Sequence, residues 1–372
     1  MNETTTRATT GPRRVVFLGP NRLYHARHSG YETLVRFLDT ESELLRLPRS
    51  VDDGAKALSS LLTERWRSRV LGRIGLYWYG RRRIFEELML LRPLLGSPGT
   101  IVHHLYGEES YRFSGYFPRR RGNALVATFH MPPSRFAQYV RDPTPIKRLD
   151  AVVALAQNQA NFLREVAGHD RVFVVPHGVD TDFFTPARQP PEEFRCLCVG
   201  YWLRDFETLH RVVDRLLPDG IAFDLVSPGK LAYFRDRPGV SIWARLSDEE
   251  LRALYQRASV FLLPTLDSTA NNALMEAMAC GLPVVATEIG GIPDYCDESN
   301  AILAPPRDDE ALAAAILRLR DDGGLRRKLA ERSRGRVMAE FDWRIVAQSM
   351  RRVYDLALRR STMSARASSP SE

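Results

Sequence analysis

Residues 258–294 read ASVFLLPTLDSTANNALMEAMACGLPVVATEIGGIPD, and the fold follows from them. An apolar run ends at Pro264 in a polar loop of small residues. A helical pattern begins near Asn271 and stops at Gly281, and a second apolar run breaks at Gly290-Gly291. Both runs are apolar throughout rather than alternating, which predicts strands of a parallel sheet covered on both faces. The start of the helix presents unpaired backbone N–H groups and the positive end of its dipole, a setting that suits a phosphate or a sugar hydroxyl. Asn271 and Asn272 stand at that start. Glu276, one turn further on, is an acceptor placed to hold paired hydroxyls such as those of a ribose. Gly290-Gly291 lets the backbone approach a ligand closely.

The same rhythm runs outward in both directions. RVVFLG (14–19), TIVHHLYG (100–107), NALVATFH (123–130), LDAVVALA (149–156) and RVFVVPHG (171–178) read as buried strands ending in polar or Gly-rich loops. FRCLCVG (194–200), IAFDLVSPG (221–229) and VSIWARL (240–246) repeat the pattern, with helical periodicity in the gaps. One helix, SDEELRALYQRA (247–258), opens with a capping box of Ser247 and Glu250. The Pro-rich PARQPPEEF (186–194) separates the two blocks. The expected fold is therefore α/β, two Rossmann-like doubly wound domains facing a central cleft. The expected boundaries are residues 13–187 and 188–342, then a terminal helix over 343–360 packing back toward the N-terminal domain. Loose tails are expected at 1–12 and 361–372.

A chain of 372 residues with 44% hydrophobic and 26% charged residues has the composition of about two globular domains, not of a disulfide mini-protein or a disordered chain. No apolar run approaches the roughly 18–20 residues of a membrane span, and the N-terminus carries no signal-peptide apolar region. The four cysteines have no framework spacing. These features predict a cytoplasmic protein. Charge is uneven: residues 1–190 carry a net +10 and residues 191–372 a net −2, so the first half presents the positive field. Within it, LLTERWRSRVLGRIGLYWYGRRRIFEELMLLRPLL (61–95) mixes Arg with Trp and Tyr. That mixture suits either an anionic membrane surface on the inner face or a helix packed in the domain with wet arginines. No nucleic-acid-binding signature accompanies it, and no histidine pair has metal-ligand spacing, so no metal site is expected.

The run NALMEAMACGLPVVATEIGGIPD resembles the donor-binding signature of the retaining GT-B glycosyltransferases of the large family four, the glycosyl transferases group 1. VVPHGVDTDFFTP (174–186) is similar to that family's element at the domain junction, and the FDW before the last helix fits the same pattern. The resemblance implies transfer of a sugar from a nucleotide-diphosphate sugar to an acceptor hydroxyl with retention, without a cofactor. A glycan, a lipid-linked glycan or a small molecule could be the acceptor. The C-terminal domain would hold the donor and the N-terminal domain the acceptor. Glu276 matches the second glutamate of the family's pair and would bind the ribose. Ser268 stands where the first glutamate usually contacts the donor sugar, with Asp267 beside it. In the loop after the second domain's first strand, VGYWLRDFETL (199–209), Arg204 is the only cation. A guanidinium there could clamp diphosphate oxygens in a bidentate manner, with Lys230 as a second candidate.

In the first half, His130 ends a strand, matching the family's histidine near the donor sugar. Gly30 follows the first strand's loop, where backbone amides could approach the diphosphate. Arg27, Tyr31 and Glu32 are candidate acceptor contacts. Of His103 and His104, neighbours on one strand, at most one can face the cleft. The departures at Ser268 and in the cation loop leave an alternative, a nucleotide-sugar-binding protein of this fold without turnover.

Overall fold

The computed structural model describes residues 11–19, 27–45, 81–168, 170–189, 191–229 and 231–367. Among these residues the strands form two six-stranded parallel sheets. The first comprises β1 (Arg14–Leu18), β2 (Glu41–Leu45), β3 (Thr100–His104), β4 (Ala124–Phe129), β5 (Ala151–Ala154) and β6 (Val172–Val174), in the order β2-β1-β3-β4-β5-β6. The second comprises β7 (Arg195–Val199), β8 (Ala222–Val226), β9 (Val240–Trp243), β10 (Val260–Leu263), β11 (Val284–Thr287) and β12 (Ala301–Ala304), in the order β12-β11-β10-β7-β8-β9. The central strands are buried along their whole length, as strands covered on both faces must be.

The main helices are α1 (Pro133–Tyr139), α2 (Gln157–Ala167), α3 (Phe206–Leu216), α4 (Asp248–Arg257), α5 (Asn272–Ala279), α6 (Asp309–Asp321), α7 (Gly323–Arg336) and α8 (Trp343–Ala367). Several begin at a side-chain cap that satisfies an N–H group otherwise left over at the helix start: Asp205, Ser247, Asn271 and Asp308 each accept from the residue three positions on. Ser247 and Glu250 form the full reciprocal box.

α8 belongs by sequence to the end of the chain and by packing to the first domain. Val346, Met350, Val353, Tyr354 and Ala357, at helical spacing, join Val15, Phe17, Val126 and Val153 of the first sheet in one core. The crossover is tight. Val179 donates to the Phe341 carbonyl at 2.9 Å, and Trp343 donates to the Val179 carbonyl at 3.3 Å. Trp343 is buried and packs on Gly178, where an added Cβ would lie 2.4 Å from the indole. Only a residue without a side chain fits there.

Three local expectations change. β2, ESELL, lies at the sheet edge, is polar over its first three residues and lacks the continuous apolar run by which the other strands were found. β9 stops at Trp243 instead of 246 because Arg245 takes a left-handed φ of 56°. α8 continues past 360 to Ala367, since STMSARA contains no breaker and Ser361 and Thr362 donate to the carbonyls of Asn123 and Leu358.

Of the basic, aromatic segment, residues 61–80 lie outside the described residues. Within the rest, Arg83 turns to Glu86 at 2.6 Å and Glu109 at 3.5 Å, a carboxylate pairing that removes it from any membrane-facing set. Among the described residues no helix is long and apolar enough to cross a membrane.

Candidate active site

In open parallel sheets ligands gather outside the strands' C-terminal ends where the strand order reverses. Here the reversals fall between β1 and β3 and between β7 and β10. Described residues after β1 and β10 reach the opposite domain, Ser29 at Glu276 and Thr269 at the His130 carbonyl.

On the C-terminal side, the loop after β7 bends back so that Arg204 bridges to Thr265. The Arg204 side chain is only 6% exposed. Its guanidinium donates to the Val199 carbonyl from Nε at 2.9 Å and from Nη2 at 2.5 Å, and to Asn271 Oδ1 at 3.3 Å. All these acceptors are neutral, and burial draws its pKa down. No carboxylate pairs with it among the described residues, so a full positive charge sits beside the N-cap of α5 without a counter-charge. Asn271 also caps α5 through the Leu274 N–H at 3.1 Å, and Asn272 is the first helical residue.

Glu276 is buried at 4% exposure inside α5's second turn. One oxygen accepts from Tyr255 Oη at 2.8 Å and the other from Ser29 Oγ at 2.6 Å. Burial, the dominant cause, raises its pKa to about 7 despite these two donors. Ser29 comes from the first domain's β1 loop, so the carboxylate is reached from both sides of the cleft. The same loop is anchored at His28. Its N–H donates to Asp248 Oδ2 at 2.9 Å, its Nδ1 lies 2.7 Å from Asp180 Oδ2, and its ring stacks on Phe183 at 3.8 Å. Sequence reasoning missed Ser29 and Tyr255. The serine adjoins a glycine singled out on its own, and the tyrosine reads as one more member of α4's apolar stripe.

On the N-terminal side, His130 follows β4. Its Nε2 lies 2.8 Å from the Leu105 carbonyl and so carries a proton. The ring stacks on Tyr106 at 4.2 Å and meets the edge of Tyr31 at 4.8 Å. The His130 carbonyl accepts from Thr269 Oγ1 of the facing domain at 2.5 Å. Gly30 is buried with φ 97° and ψ 160°, a conformation open essentially to glycine alone.

The acceptor candidates separate. Tyr31 is fully buried among His130, His177 and Trp343, which corrects its reading as an acceptor contact: its aromatic bulk is absorbed by packing behind His130. Glu32 is half-buried and accepts from Tyr106 Oη at 3.1 Å. Arg27 is exposed, and its carbonyl accepts from Arg36. His103 and His104 are both buried on opposite faces of the sheet. One is held by Tyr354 and Thr128, the other by Ser110 and Ser114, and burial lowers each pKa to about 3.

Ser268 is buried, and its carbonyl accepts from Gly291 at 2.8 Å. A Cβ at Gly290 would stand 2.3 Å from that carbonyl, which is why this turn needs glycine. The Asp267 carboxylate beside it accepts from Ser134 Oγ of the opposite domain and from the Ser268 N–H at 2.7 Å. Lys230 lies outside the described residues. Next to these groups is a cavity of about 460 Å³, walled by Ser134 and Arg135 of the first domain and by Leu203, Asp205, Asp267 and Arg307 of the second.

Comparison with known proteins agrees with this fold. Residues 193–322 match the family model for glycosyl transferases group 1. Among curated relatives, the MMP alpha-(1->4)-mannosyltransferase of Mycolicibacterium hassiacum is 28% identical over 65% of this chain and 67% of its own length. The alpha-maltose-1-phosphate synthase of Mycolicibacterium smegmatis is 29% identical over 57% of this chain and 64% of its own. The match to a Mycobacterium tuberculosis glycogen synthase covers only 28% of that protein's length, so the chain spans from about a quarter to two thirds of these relatives. Among solved structures, sucrose-phosphate synthase from Thermosynechococcus elongatus superposes with TM-score 0.67 at 18% identity, over 96% of this chain and 100% of that one. The Anabaena HepE complex with UDP and glucose does so with TM-score 0.61 at 16% identity, over 91% and 98%. The chain is thus similar to the glycosyl transferases group 1 over residues 193–322, and its paired parallel sheets have the GT-B fold.

Proposed function

We propose that this chain is a glycosyltransferase that takes a sugar from a nucleoside-diphosphate sugar and passes it to an acceptor hydroxyl with retention of configuration. The observation that carries the reading is Arg204, a buried guanidinium beside the start of α5 that has no carboxylate partner among the described residues. A buried cation without a counter-charge is costly, and an anion repays that cost. A diphosphate at this point would meet both the guanidinium and the helix dipole. Glu276 would exchange the Ser29 hydroxyl for those of the ribose. Residues 188–342 would then form the donor domain and residues 13–187 the acceptor domain.

In the reaction the bond from the anomeric carbon to the phosphate oxygen breaks, and its electron pair stays on phosphate. The acceptor oxygen bonds to the same face of that carbon, and its proton passes to the departing phosphate oxygen. Arg204, the amides of Asn271 and Asn272 and the Gly30 backbone stabilise the leaving charge, with His130 beside the sugar. Positioning and electrostatics supply the acceleration.

The HepE structure, a complex with UDP and glucose, supports such a donor here. The reading as a binder without turnover is not favoured, since the matched relatives carry the names of transferases and synthases. A thermal-shift screen against UDP, GDP and ADP, followed by transfer and hydrolysis assays with sugars of the stabilising nucleotide, tests the proposal. Stabilisation lost in Arg204→Ala is the expected result. Stabilisation by none of the three would overturn it.

A further inference from the structure

The cavity beside the donor residues has features the donor does not use. Arg135, from α1 of the first domain, and Arg307, from the loop after β12, both line it. Neither guanidinium has a hydrogen-bond or ion-pair partner among the described residues, whose arginines are mostly paired. Arg307 holds a φ of 65°, a conformation that costs an ordinary side chain roughly 1–2 kcal/mol. The two carboxylates in the same wall are already engaged: Asp205 accepts from the Thr208 N–H and Oγ1, and Asp267 from Ser134 and Ser268. The arginines therefore keep their charge for something that enters.

Beside the cavity, Tyr201 and Trp202 leave 50% and 47% of their surfaces in solvent. Trp202 meets the Tyr139 ring across the cleft at 6.3 Å. Tyr139 follows Arg135 by four residues on α1, so the two share a helix face. An exposed aromatic platform next to two unpaired guanidinium groups matches one chemical class, a sugar ring bearing an anionic group. The volume, about 460 Å³, lies within the usual range for small-molecule sites.

We propose that this cavity is the acceptor subsite and that the acceptor is a saccharide carrying a phosphate or carboxylate. The ring would rest on Trp202, with the anion held between Arg135 and Arg307. The inference rests on the glycosyltransferase reading and adds a substrate class to it.

Ligand-observed NMR on the full chain, with methyl glucoside, glucuronic acid and glucose 6-phosphate as probes and UDP stabilisation measured in parallel, tests it. Both charged sugars should bind about tenfold tighter than the neutral one, the scale of a charge-assisted contact; their ratio tells carboxylate from phosphate. Arg135→Gln/Arg307→Gln should abolish the difference and keep the UDP shift, and lysines at both positions should restore part of it. Trp202→Ala, with Trp202→Phe as the milder variant, should weaken all three probes. Equal binding of charged and neutral sugars, or a difference that survives the double variant, would overturn the proposal. So would loss of the UDP shift in that variant, because the arginines would then serve the donor. Arginine-dependent sugar binding in a wild-type chain that none of UDP, GDP and ADP stabilises would uphold the subsite and refute the nucleotide-sugar reading.

Discussion

The two walls of the cleft are built on opposite principles. The C-terminal wall concentrates charge in a buried place: Arg204 without a counter-charge and Glu276 with its pKa lifted, both within or beside one short helix. The N-terminal wall is an aromatic stack in which Tyr31, Tyr106, His130, His177 and Trp343 hold one another in place. One wall carries the electrostatics and the other carries the geometry. Substitutions in the first should then cost chemistry while the fold survives, and substitutions behind the second should cost the fold.

Trp343→Ala is the harshest test of the second half of that statement. Removing a buried indole typically costs about 3–5 kcal/mol, and here it also empties the place where α8 meets the domain junction. Chemical denaturation should show that loss; a drop under about 1 kcal/mol would mean the stack is not structural. Arg204→Ala should leave the melting curve of the ligand-free protein near its original place and lower kcat by about 10²–10³, the scale for removing one preorganised donor. A variant that fails to fold would move Arg204 into the wrong wall.

Glu276→Gln sharpens the contrast through pH. Because the folded-state pKa is raised from 4.5 to about 7, the folded protein holds a proton that the unfolded chain releases. Stability is therefore greatest below pH about 4.5 from this group and declines as pH rises through 7, by up to roughly 3 kcal/mol. The glutamine variant should flatten that decline in denaturation series at different pH, while raising KM for the donor. The smallest effect is expected at His130→Ala, about a tenfold loss of kcat/KM, since its ring acts beside the sugar and its carbonyl tie to Thr269 is a backbone feature that the substitution keeps. A loss as large as that of Arg204→Ala would place charge chemistry in the N-terminal wall as well.

The same contrast governs what could be read from the sequence. The C-terminal wall is written in one contiguous run, 258–294, because strand, loop, capped helix and glycine turn follow each other along the chain. Asn271, Glu276 and Gly290-Gly291 were legible in it. The N-terminal wall is assembled from the ends of separate strands. Tyr31 looked like a surface contact because nothing local reveals that Trp343, more than three hundred residues away, closes over it. Arg135 and Arg307 look like ordinary arginines at a helix start and in a loop. Only the cavity shared by the two domains sets them apart. β2 escaped because only its last two residues are apolar, a composition that an edge strand tolerates.

The chain passes between its two lobes twice, and the passages are joined at Val179, Phe341 and Trp343. A single tether would let the lobes twist or slide past each other. Two tethers fastened together act as a pair of hinge pins, leaving a swing about one line as the easy motion. Opening and closing of the cleft would then share one angular coordinate, and the Ser29–Glu276, His28–Asp248, Ser134–Asp267 and Thr269–His130 bonds are among the latches that each swing must undo.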